Sequence, residues 1–195
     1  MPGPWLLSKT VTELLPTAIP DLVLVRPKRH RDDRGFFSET FRADWFPELG
    51  FVQDNHSYSR RPHTLRGMHY QEPPAAQAKL IRVSRGAIRD VAVDIRRGSP
   101  TFLSHVAVEL SDEGGEQLLV PEGFAHGFIT LRPDTTVLYK VTSYYSQEHE
   151  RGIAWNDPVL GIDWGAGDDP ILSDRDASHP PFDPESSPFT MEAGS

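Results

Sequence analysis

The 195-residue sequence contains no cysteine, and this absence removes several kinds of chemistry at once. Without a thiol there can be no disulfide framework, no thiolate zinc site, no iron–sulfur cluster and no cysteine nucleophile. No run of residues approaches the roughly 18 consecutive apolar positions of a membrane helix, and residues 1–10 lack the basic start and apolar centre of a signal peptide. We therefore expect a soluble, cytoplasmic protein with no membrane partner.

Positive charge is also scarce, since 20 Lys and Arg against 28 Asp and Glu give a formal net charge of −8. The average field repels a nucleic-acid backbone, so we expect no nucleic-acid partner. Any anionic ligand must instead meet a local cationic cluster, such as residues 28–31 together with Arg34. Hydrophobic residues at 37% and charged residues at 25% are typical of a globular protein with a substantial core.

Alternating apolar and polar residues, separated by short turn segments, recur along most of the chain. This period of two is typical of β-strands. We predict about ten strands, at residues 21–25, 35–41, 51–58, 65–71, 79–85, 88–95, 104–110, 116–120, 125–130 and 136–142. A helical turn is predicted at residues 43–49. Because the connections leave no room for crossover helices, the pattern predicts an all-β fold, a double-sheet antiparallel barrel.

The chain shows no repeat of fixed period and no linker between two cores. Residues 1–181 are therefore predicted to form a single domain. From residue 165 onward the composition turns to Gly, Asp, Ser and Pro, with a short apolar island at Ile171 and Leu172 that could anchor this segment to the surface. Residues 182–195 are predicted to form a flexible tail.

Eight histidines raise the question of a metal site, which needs three or four convergent ligands. A metal-binding barrel strand would place a second histidine two residues after His69, on the same face, and Gln71 stands there. We therefore predict no metal site. One alternative is a metal-dependent oxygenase or isomerase that uses His69 and His126. The other is that each histidine only forms structural hydrogen bonds, which is the commoner role of a lone histidine on a strand.

Two polar residues fall on predicted apolar strand faces. Lys79 shares its strand face with Ile81 and Val83. Tyr139 likewise lies between two apolar side chains on one face of its own strand. Burying an unpaired ammonium group is costly, and a buried phenol needs a hydrogen-bond partner. The alternatives are a lysine that extends to solvent from a strand end and a tyrosine that simply packs in the core.

Arg66 stands three residues before His69, and positions three apart on a regular strand face opposite ways. Gly67 could permit a β-bulge that brings both side chains to the same face. Arg66 and the cluster around Arg34 could hold a diphosphate, because the arginine fork matches phosphate oxygens. A run of charged residues more often forms only a solvated loop, so this cluster alone is weak evidence for a diphosphate site.

These residues belong to longer motifs that together resemble the dTDP-4-dehydrorhamnose 3,5-epimerase family, over residues 16–177. The motifs are DRGFFSE at 33–39, FVQDNHS at 51–57, LRGMHYQ at 65–71, DVAVDIR at 90–96, PEGFAHGF at 121–128 and LSDRD at 172–176. The resemblance implies a cupin-type jelly-roll β-barrel with a few short helical turns. It also implies catalysis without a metal or any other cofactor.

The resemblance further implies inversion of C3 and C5 of dTDP-4-dehydro-6-deoxy-D-glucose through an enolate, giving dTDP-4-dehydro-L-rhamnose. His69 would be the base, with Asp176 orienting its ring. Lys79 would stabilise the enolate oxygen, and Tyr139 would return a proton on the opposite face. The substrate-binding residues implied are Arg34, Glu39, Gln53, Asn55, Arg66, His126 and Tyr145.

A homodimer with exchanged N-terminal regions is also implied, in which Arg34 serves the neighbouring subunit's site. The sequence departs from the family pattern at Ala78, at residues 103–105 and at Gly165, and none of these departures removes a catalytic group. Two alternative functions stay open. The protein could be an epimerase that inverts only C3 or only C5, or a module that binds a sugar nucleotide without turnover.

Overall fold

Two antiparallel sheets face each other in the computed structural model, which describes residues 12–165 and 169–191. The six-stranded sheet runs in the order β1 (Thr12–Pro16), β2 (Val23–Pro27), β10 (Gln117–Val120), β7 (Lys79–Arg85), β12 (Thr135–Val141), β5 (Gln53–Ser59). The five-stranded sheet runs in the order β13 (Glu150–Gly152), β6 (Leu65–Gln71), β11 (Phe124–Thr130), β8 (Ala87–Asp94), β9 (His105–Ser111). This arrangement confirms the predicted all-β, double-sheet barrel of cupin type.

The remaining elements are short. A separate hairpin pairs β3 (His30–Asp32) with β4 (Gly35–Phe37), so the strand predicted at 35–41 ends early. The helical turn predicted at 43–49 is a 3-10 helix over Ala43–Trp45, and a second lies at Pro184–Ser186. The only α-helix of the described residues, α1 (Asp174–Ala177), has four residues. Within the described ranges no helix is long and apolar enough to cross a membrane.

Apolar side chains fill the space between the sheets and also cover both outer faces. The inner layer joins residues such as Ile81 and Val137 to Ala92 and Phe128 of the opposite sheet. The outer face of the five-stranded sheet is covered by apolar residues of the C-terminal part: Ile153, Leu160, Trp164 and Phe182. Because both of its faces are covered, β11 is buried at every position and shows no simple alternation.

Residues 169–191 make backbone hydrogen bonds to the barrel. Ile171 bonds through its backbone to His63 and Leu65, which confirms the predicted anchor. The flexible tail at residues 182–195 stays a prediction. Within residues 182–191, the side chain of Phe182 is buried and the backbone of Arg97 bonds to Phe189 and Met191. Residues 1–11 of the predicted domain and 192–195 of the predicted tail lie outside the described residues.

A buried carboxylate, Asp94, ties the end of β8 to the loop that follows it. It is fully buried, and its Oδ2 accepts hydrogen bonds from Ser99 at 2.6 Å, Thr101 at 2.7 Å and the Arg96 guanidinium at 2.7 Å. Burial disfavours the charged form, but these donors together hold the pKa of Asp94 below its usual value. Asp94 therefore contributes stability above the pKa of about 3.9 in the unfolded chain.

Replacing Asp94 by asparagine is expected to lower the free energy of unfolding by about 3–5 kcal/mol, because the Arg96 guanidinium loses its buried partner. Urea denaturation at pH 7 measures the loss. Wild-type stability should fall as the pH drops below about 4, and the variant should lack this component. Asp44→Asn is the control, because Asp44 pairs with Arg42 at the exposed surface and should change stability by less than about 1 kcal/mol. Equal losses in the two variants would contradict the assignment.

Candidate active site

A cavity of about 510 Å³ opens between the two sheets, beside helix α1. Its volume suits a small-molecule ligand. The predicted site residues that line it are Arg66, His69, Lys79, His126, Tyr139, Tyr145 and Asp176. A smaller adjoining cavity is lined by Gln53 and Asn55 and shares His69, Lys79 and Tyr139 with the first. The structure thus brings together nine of the eleven residues predicted from the sequence.

A β-bulge in β6 places Arg66 and His69 on the same cavity. His69 pairs with His126 of β11, whereas Arg66 pairs with Phe128, so three steps along β6 match two along β11. Gly67 allows this geometry, since its φ is +125° and a Cβ there would lie 2.5 Å from the Cα of Gly127. The bulge predicted at Gly67 is therefore confirmed.

His69 forms a pair with Asp176, which is carried by helix α1. The Nε2 atom of His69 lies 2.7 Å from Asp176 Oδ1, and Ser173, the N-cap residue of α1, donates to Asp176 Oδ2 at 2.9 Å. Burial opposes ionisation of this carboxyl, but the hydrogen bonds from His69 and Ser173 hold the pKa of Asp176 below its usual value. An ionised Asp176 accepts a hydrogen bond from His69 Nε2 and so favours the tautomer in which Nδ1 can accept a proton.

Lys79 lies on β7 with its side chain inside the barrel. The residue is 8% exposed, and its Nζ donates to the backbone oxygen of His69 at 3.2 Å. Burial lowers the pKa of Lys79 to about 8, and the negative charges of Asp90 and Glu150 oppose this shift. The ammonium group is therefore still charged near neutral pH, and the predicted inward orientation is confirmed over the alternative of a side chain extended to solvent.

Tyr139 lies on β12, in the sheet opposite His69, and lines the same cavity. Its strand neighbours across the sheet are Asn55 and Ile81. Burial raises the pKa of the Tyr139 phenol above its usual value, although the charge of Arg66 acts in the opposite direction. The phenol therefore keeps its proton at neutral pH and can serve only as a proton donor.

Asp90 was not identified from the sequence, yet it is a partner of the predicted ligand residue His126. Asp90 is fully buried on β8, and its Oδ1 lies 2.5 Å from His126 Nε2. The signal was an acidic residue inside a predicted strand that is otherwise largely apolar. The carboxylate also lies close enough to Lys79 to favour the charged ammonium.

Glu150 is the second residue that sequence reasoning missed, because its strand, β13, has only three residues and carries no periodic signal. It accepts hydrogen bonds from Tyr145 at 2.7 Å and forms an ion pair with Arg175 at 2.6 Å. Burial disfavours its charge, but these two partners hold the pKa of Glu150 below its usual value. This network fixes Tyr145 at the cavity edge, where Gln53 also accepts from its backbone nitrogen at 3.1 Å.

Two predicted binding residues lie away from the cavity of their own chain. The Arg34 side chain is 90% exposed and pairs with Asp32 at the tip of the β3–β4 hairpin. Glu39 follows this hairpin and pairs with Arg42 at 3.3 Å. Phe36 and Phe37 in the hairpin are 54% and 68% exposed. Within a single chain, this segment therefore contributes nothing to the site.

The metal ligands considered from the sequence, His69 and His126, do not form one group in the described residues. His126 is engaged by Asp90. A different set, His69, Asp176 and His179, places one potential ligand atom of each residue within 4.8 Å of the others.

Comparison with known proteins matches residues 16–184 to the family model of dTDP-4-dehydrorhamnose 3,5-epimerase. The dTDP-4-dehydrorhamnose 3,5-epimerase of Sinorhizobium fredii is 52% identical over 167 residues, covering 84% of this chain and 86% of that protein. The crystal structure of the Bacillus anthracis dTDP-4-dehydrorhamnose 3,5-epimerase with TDP and PPi bound has a TM-score of 0.85 and 47% identity. It covers 88% of this chain and 99% of that one.

A further similar structure is the dTDP-6-deoxy-D-glucose-3,5-epimerase of Legionella pneumophila in complex with dTDP-4-keto-L-rhamnose. It has a TM-score of 0.87 and 42% identity and covers 93% of this chain and all of that one. The barrel fold and these matches define an isomerase. The chain belongs to the dTDP-4-dehydrorhamnose 3,5-epimerase family.

Proposed function

We propose that the chain inverts C3 and C5 of dTDP-4-dehydro-6-deoxy-D-glucose, giving dTDP-4-dehydro-L-rhamnose. The observation that carries the proposal is that His69 on one sheet and Lys79 and Tyr139 on the other line a single cavity. Family membership supports the double inversion over the single inversion that the sequence left open.

The chemistry requires a base, an acid and a site for negative charge. The hydrogens on C3 and C5 lie next to the C4 ketone and are acidic, because the carbanion delocalises onto the ketone oxygen as an enolate. In the proposed roles, His69 takes the proton, and Asp176 holds its ring and stabilises the imidazolium that forms. Such a proton transfer typically contributes about 10²–10⁴ in rate.

Lys79 is proposed to stabilise the enolate oxygen on C4. Its ammonium group is buried, so its field is poorly screened, and its Nζ lies within hydrogen-bond distance of the His69 backbone. Among the residues that the structure describes, the Lys79 ammonium hydrogen-bonds only to a neutral carbonyl and is paired with no carboxylate. This arrangement leaves its charge available for the enolate, where negative charge develops.

Tyr139 is proposed to return the proton on the face of the sugar opposite His69. The two residues lie on opposite sheets, which is the placement that inversion at carbon needs. The raised pKa of Tyr139 means that the phenol is a weak acid, and reprotonation of the basic enolate carbon provides the driving force.

The remaining lining residues are proposed to bind the nucleotide, the diphosphate and the sugar. Arg66 is a bidentate donor suited to phosphate oxygens. Further hydrogen-bonding groups around it come from His126, Gln53, Asn55 and Tyr145. His126 is held in place by the carboxylate of Asp90.

Solvent exchange tests the function directly. In D₂O the enzyme is expected to incorporate deuterium at both C3 and C5 of the keto sugar nucleotide, and proton NMR follows the loss of both signals. Exchange at one carbon only would identify a single-site epimerase. Binding without exchange at either carbon would show a non-catalytic sugar-nucleotide module and overturn the proposal.

We also propose a homodimer in which the β3–β4 hairpin of each subunit completes the site of the other. Arg34 and Glu39 lie away from their own cavity, and the hairpin carries two exposed phenylalanines that an interface would cover. In this assembly a cationic side chain from the partner would reach the nucleotide of the neighbouring site.

Mixing two inactive variants tests this sharing of sites. Arg34→Ala and His69→Asn subunits are each expected to have little activity at substrate concentrations below KM. After joint refolding, half of the dimers would carry one variant of each kind, and each of these would contain one complete site. Activity should then recover to about a quarter of the wild-type value. Light scattering checks the dimer, and activity no higher than the mean of the two variants would contradict the exchange.

A further inference from the structure

His179 lies beside the His69–Asp176 pair, and the proposed reaction makes no use of it. Its ring packs edge-on against the His69 ring, with centroids 5.3 Å apart. Its Nε2 lies 3.6 Å from Asp176 Oδ1, the same oxygen that lies 2.7 Å from His69 Nε2. Two imidazoles therefore converge on one carboxylate oxygen.

The His179 side chain is firmly placed but unsatisfied. It is 11% exposed, and its Nε2 is buried without a hydrogen-bond partner among the described residues. The ring rests on Gly152, where an added Cβ would lie 2.2 Å from the nearest ring atom. A buried nitrogen without a partner is costly, which favours an occupant that satisfies it.

We propose that His69, Asp176 and His179 form a zinc-binding site and that bound Zn²⁺ inhibits the enzyme. Two imidazoles and one carboxylate are a donor set that proteins use for zinc, with the fourth position open. Zinc–ligand bonds of about 2.0–2.2 Å place tetrahedral ligand atoms roughly 3.3 Å apart. The separations of 2.7 and 3.6 Å at Asp176 lie on either side of this value, and the three ligand atoms lie within 4.8 Å of one another.

Inhibition follows from the identity of one ligand and rests on the proposed role of His69 as the base. Zn²⁺ would bind His69 Nε2 in place of the proton shared with Asp176, and the ring proton would then sit on Nδ1. With Nε2 on the metal and Nδ1 protonated, the imidazole has no lone pair left to collect a proton from the sugar. Mg²⁺ should not compete, because it prefers octahedral oxygen coordination.

The metal alone tests the site, without substrate. Untagged full-length protein is titrated with Co²⁺, and we expect one equivalent to bind with the visible absorption of a tetrahedral complex, displaced by Zn²⁺ and unaffected by Mg²⁺. His179→Ala should lower the affinity for Co²⁺ by at least about 100-fold. Loss of a group that only supports a ligand lowers metal affinity by about 10–100-fold, so a larger loss indicates a direct ligand. His105→Ala, a histidine outside the cavity, should bind as the wild type does.

Gly152→Ala provides a second variant that removes no donor atom. The new Cβ would displace the His179 ring, so the same loss of Co²⁺ affinity is expected, with circular dichroism confirming the fold. Absence of Co²⁺ binding in the wild type, or wild-type affinity in His179→Ala, would overturn the site.

Turnover with and without metal tests inhibition. Zn²⁺ at about ten times its Kd should lower the wild-type rate at least about 10-fold, with recovery on adding EDTA. The same Zn²⁺ concentration should inhibit His179→Ala far less. Zn²⁺ binding without inhibition would overturn the inhibitory role. Turnover in EDTA alone reports on the proposed function, so an enzyme that binds Co²⁺ but fails in EDTA would refute that function and not the site.

Discussion

Replacing His69 by asparagine is expected to lower kcat by about 10²–10⁴, the typical contribution of general base catalysis. Asparagine is close to histidine in size and can still donate to Asp176, but it cannot accept a proton from the sugar. KM should therefore change by only a few fold, because the shape and hydrogen bonding of the cavity are kept. Steady-state kinetics by proton NMR measures both constants, and thermal unfolding confirms that the variant is folded.

Tyr139→Phe is the matched comparison, because it removes the acid and leaves the base. In D₂O this variant should still incorporate deuterium into the sugar nucleotide. After His69 exchanges the abstracted proton with solvent, it can return a deuteron to the same face of the sugar. Inversion should be almost lost. His69→Asn should lose both exchange and inversion, and the opposite pattern would reverse the two roles.

Lys79→Met is expected to lower kcat by about 10²–10³, the usual effect of removing one group that stabilises an oxyanion. The same variant should be more stable than the wild type by about 0.5–2 kcal/mol, because a buried ammonium held by one carbonyl is exchanged for an apolar chain of similar length. Kinetics and urea denaturation together measure the two opposite effects. A merely structural lysine would show no large loss of kcat.

Lys140→Met is the control for this experiment. Lys140 lies next to Tyr139 on β12 but does not line the main cavity, and it pairs with Asp54 at 3.0 Å. Its replacement should leave kcat within about twofold and change stability by less than about 1 kcal/mol. Similar behaviour of the two lysine variants would remove Lys79 from the mechanism.

Much of the barrel could be predicted because its strands carry a strong period of two. Strands β6 and β7 have the predicted bounds of 65–71 and 79–85. Strands β3 and β13 were missed because three residues give too few repeats of the pattern to be recognised, and β1 was missed because its sequence, TELLP, does not alternate. The covering of the outer face by residues such as Trp164 was not foreseen either, because no local pattern shows which surface a later segment will contact.

Some features of the site could be predicted from neighbouring residues in the sequence, and others depend on residues that are far apart in it. The inward orientation of Lys79 and the bulge at Gly67 followed from strand geometry within a few residues. The pairing of His69 with Asp176 spans 107 positions and was available only through the family resemblance. Glu150 and His179 gave no signal, because their importance depends on which strands and loops come together in the folded chain.

Helix α1, which carries Asp176, has only four residues and is fixed by its cap and by contacts with β6. A barrel in which α1 has come away from β6 would keep its sheets and the proposed base, His69, but would lose the contact between His69 and Asp176. Catalytic competence can therefore disappear by local opening at a free energy below that of global unfolding. During synthesis the enzyme would likewise become active only after helix α1 has left the ribosome and docked on β6.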